Sequence, residues 1–442
     1  MKKAIALFGL ILLLAGIGIP VFSGIMMERT LNQMFGQINQ AYAETGMGFS
    51  YEIIDYDRRF FSSEIEWKIK LGTQKAFYGL EEIVFLDRAK HGITRVVSTT
   101  SLEKNQWFMD FLEQKVDGKN PLGISSEYRY SGNIIISIAL DGFDWEMADA
   151  AFVCMPGQIA VTVAKDLKQV DSEVTWEGFS VDDKLVVNQV SMDSKLEKLS
   201  TYIWDGNVAF SVQNIQAESK RGRFELSKVS CEYLVDFEKD EKALSINASV
   251  GADKITGGPN PIQDAFVQIG INQIDSDGFE AFMEMYSQIM MRVMGEMSAE
   301  SGKDPEAVKR DTKKRFAALG LQMAGAYEKL LKQGLELQLA DIKATFPQGR
   351  INGNFALGLK KDMTMVQFVP LAIQPSLSLD FFSLKSDFSL PIELVGERPK
   401  LLQPVFPGMR TGLFEISGDA LIHHAETRNG KLFLNGHAVR LP

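Results

Sequence analysis

Residues 64–71 read Glu-Ile-Glu-Trp-Lys-Ile-Lys-Leu, with Ile65, Trp67, Ile69 and Leu71 on one side and Glu64, Glu66, Lys68 and Lys70 on the other. Side chains of an extended chain alternate between two faces, so this octet predicts a strand that buries one face and solvates the other, as antiparallel sheets do. The same period returns along the chain. It sets Ile134, Ile136, Ile138 and Leu140 together in Asn133–Leu140, Ile159, Val161 and Val163 in Gln158–Val163, and Val208, Phe210 and Val212 in Asn207–Val212. Gly132, Gly157 and Gly206 stand directly before these three runs. Glycine adopts positive φ at least cost, so each is read as the turn before the second arm of a hairpin. After Gly334 the alternation resumes through Phe355, Leu357 and Leu359, then Leu377, Leu379 and Phe381, then Leu384, Phe388, Leu390 and Ile392. Asn429-Gly430 is the dipeptide of a type I′ turn and closes a last hairpin.

Two blocks carry a helical period instead. Leu102–Val116 holds Trp107, Phe108, Phe111 and Leu112. Gly278–Met297 sets Phe279, Phe282, Tyr286, Ile289, Met290, Val293 and Met297 at i, i+3, i+4 spacing. Asp304 and Pro305 then mark the start of a second helix whose stripe runs through Phe316, Leu319, Met323, Tyr327 and Leu330. The expected fold class is a β-rich α+β protein: extended antiparallel sheets, in meanders and hairpins, with amphipathic helices packed on them, preceded by one N-terminal transmembrane helix.

That last element is Ala4–Met27, an uncharged run that follows Lys2 and Lys3. As a helix its 24 residues extend about 36 Å, enough for a hydrocarbon core of about 30 Å. The basic start places the N-terminus in the cytoplasm and the bulk of the chain in the periplasm of a bacterial inner membrane protein. A cleaved signal peptide is the competing reading; signal cores are shorter, and Ala41-Tyr42-Ala43 lies too far downstream to be its cleavage site. The expected organisation is an anchor over 1–27, a stalk helix over 28–46 with Leu31, Met34, Phe35 and Ile38 at helical spacing, and a β-rich domain over 47–258. A helical hairpin over 259–335 and a β-rich region over 336–442 complete it.

Charged residues make up 24% of the 442-residue chain and hydrophobic residues 45%, ordinary globular values, and the formal net charge is −10. Phosphate backbones need clustered Lys and Arg; the one basic run, Lys309–Arg315, is a solvated helix face, and no nucleic-acid partner is expected. Cys154 and Cys231 would share an oxidising compartment, where they either bridge or remain free.

Catalytic signatures are scarce. The sequence has no phosphate loop, G-x-S-x-G, H-E-x-x-H or C-x-x-C. Ser101-Leu-Glu-Lys104 fits S-x-x-K but is better explained as a Ser-capped helix start. With Asn429-Gly430 as a two-residue turn, 424 faces 435 and 422 faces 437, which makes His424 and His437 diagonal neighbours beside Glu426. Such a face could take a metal, although Ile422, Phe433 and Val439 on the same side favour a partly buried hairpin. His91 reads as a turn residue, and Tyr56 and Arg58 as a structural pairing at a strand edge. No catalytic, cofactor or metal residue is assigned, and no enzyme activity is expected.

The N-terminal anchor, Tyr56-Asp-Arg-Arg-Phe-Phe-Ser-Ser63 leading into a strand, His91-Gly92 after a second strand, and the closing stretch Gly430–Gly436 together resemble the YdgA-like family of bacterial envelope proteins. The resemblance implies an inner-membrane-anchored protein facing the periplasm and supplies no activity. Two functions follow. The first is a non-enzymatic structural or interaction module with a protein partner in the envelope. The second is a module that binds or transfers lipid in an apolar groove between the sheet and the Met-rich helix, with Phe282, Tyr286, Met290, Val293 and Met297 as its face.

Overall fold

The computed structural model describes residues 2–45, 48–72, 75–147, 150–182, 184–219, 222–258, 260–299, 324–397 and 412–440. They divide between two compact units, the first comprising Met1–Asp182, Ser191–Ile203 and Ser287–Lys309, the second Asp183–Val190, Trp204–Tyr286 and Arg310–Pro442. Antiparallel sheet dominates both, with a few helices.

The first unit opens with helix α1 (Lys2–Thr45) and continues through β1 (Ser50–Arg58), β2 (Ser62–Lys70), a short α2 (Lys75–Tyr78), β3 (Glu82–His91) and β4 (Arg95–Ser101). Helix α3 (Gln106–Lys115), β5 (Leu122–Arg129), β6 (Ile134–Leu140), β7 (Phe143–Met147), β8 (Ala150–Cys154), β9 (Gly157–Val163) and β10 (Gln169–Val181) follow. Strands β1 to β6 pair each with the next. Beyond them β6 and β7 lie end to end along β9 and β8, which in turn lie along β10. The result is a meander whose alternation is the one read from the sequence. Ile65, for example, is fully buried between Tyr56 and Asp87 of its neighbours.

Two expectations are corrected in this unit. Gly132 does sit in the β5–β6 turn with φ of 93°, but Gly157 does not open a hairpin arm. It continues the line of β8, and a Cβ there would lie 2.9 Å from Cδ1 of Trp176, whose ring covers it from β10. Ser101 does not cap a helix: it ends β4, its hydroxyl accepting from the Glu103 amide, while α3 begins after Asn105. Asn105 spends its side chain on β3 instead, donating to the Val84 carbonyl (2.6 Å) and accepting from the Val84 amide (2.9 Å). Helix α3 then buries Phe108 and Leu112 beside Leu102 and Val116, as its apolar stripe requires.

The second unit carries β12 (Trp204–Ser219), β13 (Gly222–Glu238), β14 (Ala243–Thr256), β15 (Ile262–Asp275), β16 (Glu336–Phe346), β17 (Gly349–Leu359) and β18 (Phe382–Pro391). Each of these strands pairs antiparallel with the next strand. Strand β11 (Leu185–Lys198) and helix α4 (Ser276–Ala299) are each divided between the two units. The chain closes with β19 (Glu415–Ser417), β20 (Ala420–Arg428), β21 (Lys431–Leu434) and β22 (His437–Val439). Gly206 lies inside β12, opposite Val235, and not in a turn. The strand expected at Leu377–Phe381 is helical: Pro375–Leu377 is a 3-10 turn and Ser378–Phe381 an α turn. Pro375 occupies the first position of that turn, where a proline is pre-set for helix, and five alternating residues are too few to override it.

Among the described residues no helix is long and apolar enough to cross a membrane. The side chains of residues 2–21, which make up most of the expected span, lie outside those described. The second helix expected from Asp304 lies outside the described residues until 324–330, which are helical. Cys154 and Cys231 are both free thiols.

Candidate functional site: a helix seat and an apolar sheet face

The stretch expected to be a stalk helix over 28–46 is helical, and its apolar stripe is docked on the sheet. Met27, Leu31 and Phe35 repeat at i, i+4 along α1 and form one buried cluster with Ile65, Ala89 and Val96 of the sheet. Phe35 stands 5.4 Å from the ring of Tyr51 and 5.3 Å from that of Trp67, and Trp67 in turn stacks 4.2 Å from Phe85. Polar contacts fix the register. The Tyr56 hydroxyl donates to the Gly24 carbonyl (3.2 Å), Arg58 pairs with Glu28 (2.9 Å), and the Asn39 amide brackets Tyr51 by donating to its carbonyl (2.8 Å) and accepting from its amide (2.7 Å). Tyr56 and Arg58 therefore hold the helix and do more than pair a strand edge. Because Glu28 meets the end of β1 and Asn39 its start, α1 runs antiparallel to β1.

Beneath the helix the sheet carries buried polar groups: Ser63, Asp87, His91, Ser98 and Thr100. They lie at positions that alternate onto the same face as Ile65, Ala89 and Val96. His91 is the last residue of β3, only 6% exposed, and not a turn residue; its Nε2 is 2.8 Å from Oγ of Ser63. Asp87 accepts from the Trp67 indole (3.1 Å), and burial pushes its carboxyl above the usual carboxylate range. Burial likewise raises the Tyr56 and Tyr128 phenols. A serine, a histidine and an aspartate thus share one neighbourhood, the residue types of a hydrolase triad. Their setting is structural: α1 covers them, and the cavity lined by Ser23, Met27, Val96 and Tyr128 measures about 10 Å³, room for one water at most. Gly24 is what lets the helix approach, since a Cβ there would fall 2.4 Å from Cε1 of His91.

The C-terminal histidines separate. Asn429 and Gly430 have φ of 52° and 70°, the two-residue turn read from the sequence. A second such turn follows at Asn435-Gly436, with φ of 47° and 83°, and folds β22 back on β21 so that His437 faces Leu434. The expected pairing of 422 with 437 is therefore absent, and the His424–His437 diagonal falls with it. His424 instead bonds Asp387 through Nδ1 (2.6 Å), which raises its pKa, and stands 3.6 Å from Glu426 through Nε2. His423 bonds Ser386 and the Leu413 carbonyl. No group of three or more His, Cys, Asp or Glu that could hold a metal ion occurs among the described residues.

The second unit has an apolar sheet face. Cross-strand rows run Phe210–Cys231–Val250–Val267, Val208–Tyr233–Ala248–Ile269–Leu339, and Val235–Ile246–Ile271–Leu337–Leu357. The opposite face of the same strands carries Asn207, Glu232, Asn247, Ser249, Gln268 and Gln338. Alternation of this kind predicts that the apolar face is covered, yet Val250 is 54% and Ile269 53% exposed. Phe210, Tyr233, Val267, Ile271 and Leu337 are exposed beside them. Of the lipid face expected on α4, Phe282 stacks with Tyr286 (6.1 Å) and leans on Tyr327 (5.4 Å). The side chains of Met290, Val293 and Met297 lie outside those described.

A family model described as a bacterial protein of unknown function, DUF945, matches residues 1–442. The chain belongs to the DUF945 family. Comparison with curated proteins and with solved structures returns no match. Membership in DUF945 extends over both units and over α1, so the helix seat and the apolar face both lie within the region that defines the family.

Proposed function

We propose that the protein is a non-enzymatic envelope module of the bacterial inner membrane, tethered by α1 and presenting the apolar face of β12–β16 to a protein partner. The observation that carries this reading is that face. Along three adjacent cross-strand rows Phe210, Tyr233, Val250, Val267, Ile269, Ile271 and Leu337 stand exposed to solvent, whereas soluble monomers seldom expose a contiguous apolar patch beyond a few hundred Å². The tether is supported by the part of the uncharged run that precedes the helix seat, Ala4–Phe22, after two lysines. Periplasmic placement rests on that same charge bias.

A photo-crosslinking side chain at Val250 or Ile269 of the full chain, in intact cells, tests the reading against the same probe at Ser249 or Gln268 on the other face. A discrete protein adduct confined to the first pair is the expected result. No adduct at either pair would contradict it. An adduct to lipid alone would transfer the face to the second function, acyl-chain binding, for which the breadth of uninterrupted apolar surface is the supporting observation.

A further inference from the structure

The end of the first sheet at which α1 leaves it is unusually apolar at its turn tips. Phe60 and Phe61 make the β1–β2 turn, Ile93 lies in the β3–β4 turn, and Tyr130 in the β5–β6 turn; they are 64%, 55%, 61% and 36% exposed. The antiparallel meander brings these three turns to one end of the sheet. It is also the end where Gly24 of α1 lies against His91 and Tyr56, so the upstream part of α1 departs beside the tips. On α1 itself Phe22 is 58% and Ile25 38% exposed.

The tips are laced to one another. The His91 amide donates to the Phe61 carbonyl (2.9 Å), and the Tyr130 hydroxyl donates to the Gly92 carbonyl (2.9 Å). Their apolar side chains are therefore presented on a fixed rim and carry little of the ordering cost that a loose loop would incur on binding. Arg59 in the first turn and Arg95 and Arg129 at the strand ends pair with Asp57 and Glu127, and each remains more than half exposed at the side chain. Exposed aromatic residues backed by arginine, around a helix that continues into an uncharged apolar run, match the profile of a bilayer interface. Aromatic rings settle at headgroup depth there, and guanidinium groups meet anionic phosphates.

We propose that the turn tips at Phe60-Phe61, Ile93 and Tyr130 seat in the headgroup region of the membrane around the exit of α1, holding the first unit end-on against the bilayer surface. The inference rests on the tether proposed above and adds to it: a tether alone permits the unit to stand off. The occupant is an anionic phospholipid surface.

The test uses the full chain, with Cys154 and Cys231 replaced by alanine, in vesicles of phosphatidylethanolamine and phosphatidylglycerol. A nitrobenzoxadiazole label is placed at Phe60→Cys, at Ile93→Cys, or at Lys119→Cys in the exposed connection at the opposite end of the sheet. All three sites are exposed, so the fold tolerates the label. The expected result is blue-shifted emission at 60 and 93 that is quenched by lipids carrying a nitroxide near the headgroup, with label 119 unshifted and unquenched. Labels 60 and 93 that behave like label 119, on protein that alkaline carbonate leaves in the membrane pellet, would overturn the seating and leave the tether standing. Protein released by carbonate, with all three labels in water, would overturn both.

Discussion

Replacing Phe35 with alanine isolates what the helix seat contributes. Phe35 is 6% exposed and wedged between Tyr51 and Trp67, so truncation removes a nearly complete ring and leaves a void between helix and sheet. Phe→Ala substitutions at such sites cost about 3–5 kcal/mol, and each 1.4 kcal/mol is about tenfold in an equilibrium constant. The docked state of α1 should therefore lose on the order of a hundredfold or more in population relative to the undocked one. Glu28→Ala is the matched comparison. It deletes only the Arg58 ion pair, whose two side chains are 39% and 40% exposed, and surface pairs of that kind contribute about 0–1 kcal/mol. Amide hydrogen exchange read by mass spectrometry over residues 25–42 distinguishes the two. Phe35→Ala should accelerate exchange throughout that segment while β5 and β6 keep their protection, and Glu28→Ala should change it little. Equal exchange in the two variants would refute the claim that apolar packing seats the helix.

Three further outcomes follow from the same geometry. Gly24→Leu places carbon where the His91 ring stands and should lower the melting temperature, whereas Gly36→Ala, with open space around its Cβ, should raise stability by about 0.5–1 kcal/mol; thermal melts of both compare the sites directly. Asp87 has a folded-state pKa above its unfolded value, so its contribution is intact below the unfolded pKa and is lost as pH rises through the folded one. Asp87→Asn should therefore gain on the wild type as pH climbs from the acid range to neutrality, and urea titrations that showed a constant difference would count against a buried, desolvated carboxyl. Asp387→Asn should lower the titration midpoint of His424 in NMR, because the Asp387 hydrogen bond is the largest cause of its upward shift.

Much of the sheet was legible because strand alternation is local. Glu64–Leu71 and Asn133–Leu140 show it in eight residues each, and both are strands. Leu377–Phe381 shows it in five, and there Pro375 prevailed. Gly157 and Gly206 misled since a glycine before a strand signals either a turn or a close approach, and only the partner strand tells which; for Gly157 that partner is Trp176, 19 positions away. Asn435-Gly436 carries the same I′ signature as Asn429-Gly430, and a register built on the first turn alone misplaces His437.

The helix seat was half legible. Leu31, Met34, Phe35 and Ile38 form a stripe, and an apolar stripe outside a membrane requires a partner, yet the partners Ile65, Ala89 and Val96 are 27 to 65 positions downstream. Asp87 and Ser98 were missed because polar residues are not placed in a core by composition. Their signal was positional, Asp87 falling between Phe85 and Ala89 on the inward parity of β3 and Ser98 two residues from Val96 on β4. The apolar face of β12–β16 was legible as alternation, but its exposure depends on what lies above it, which no local pattern encodes.

The proposed tether requires α1 to remain part of the chain, with its uncharged run upstream of Ser23 in lipid and Ser23 to Asn39 on the sheet. Alkaline carbonate extraction of membranes containing the full chain, followed by N-terminal sequencing of the pelleted protein, tests this directly. The protein should stay in the pellet and begin at Met1 or Lys2. A soluble product, or a pelleted one that begins at Gly24 or later, would contradict it.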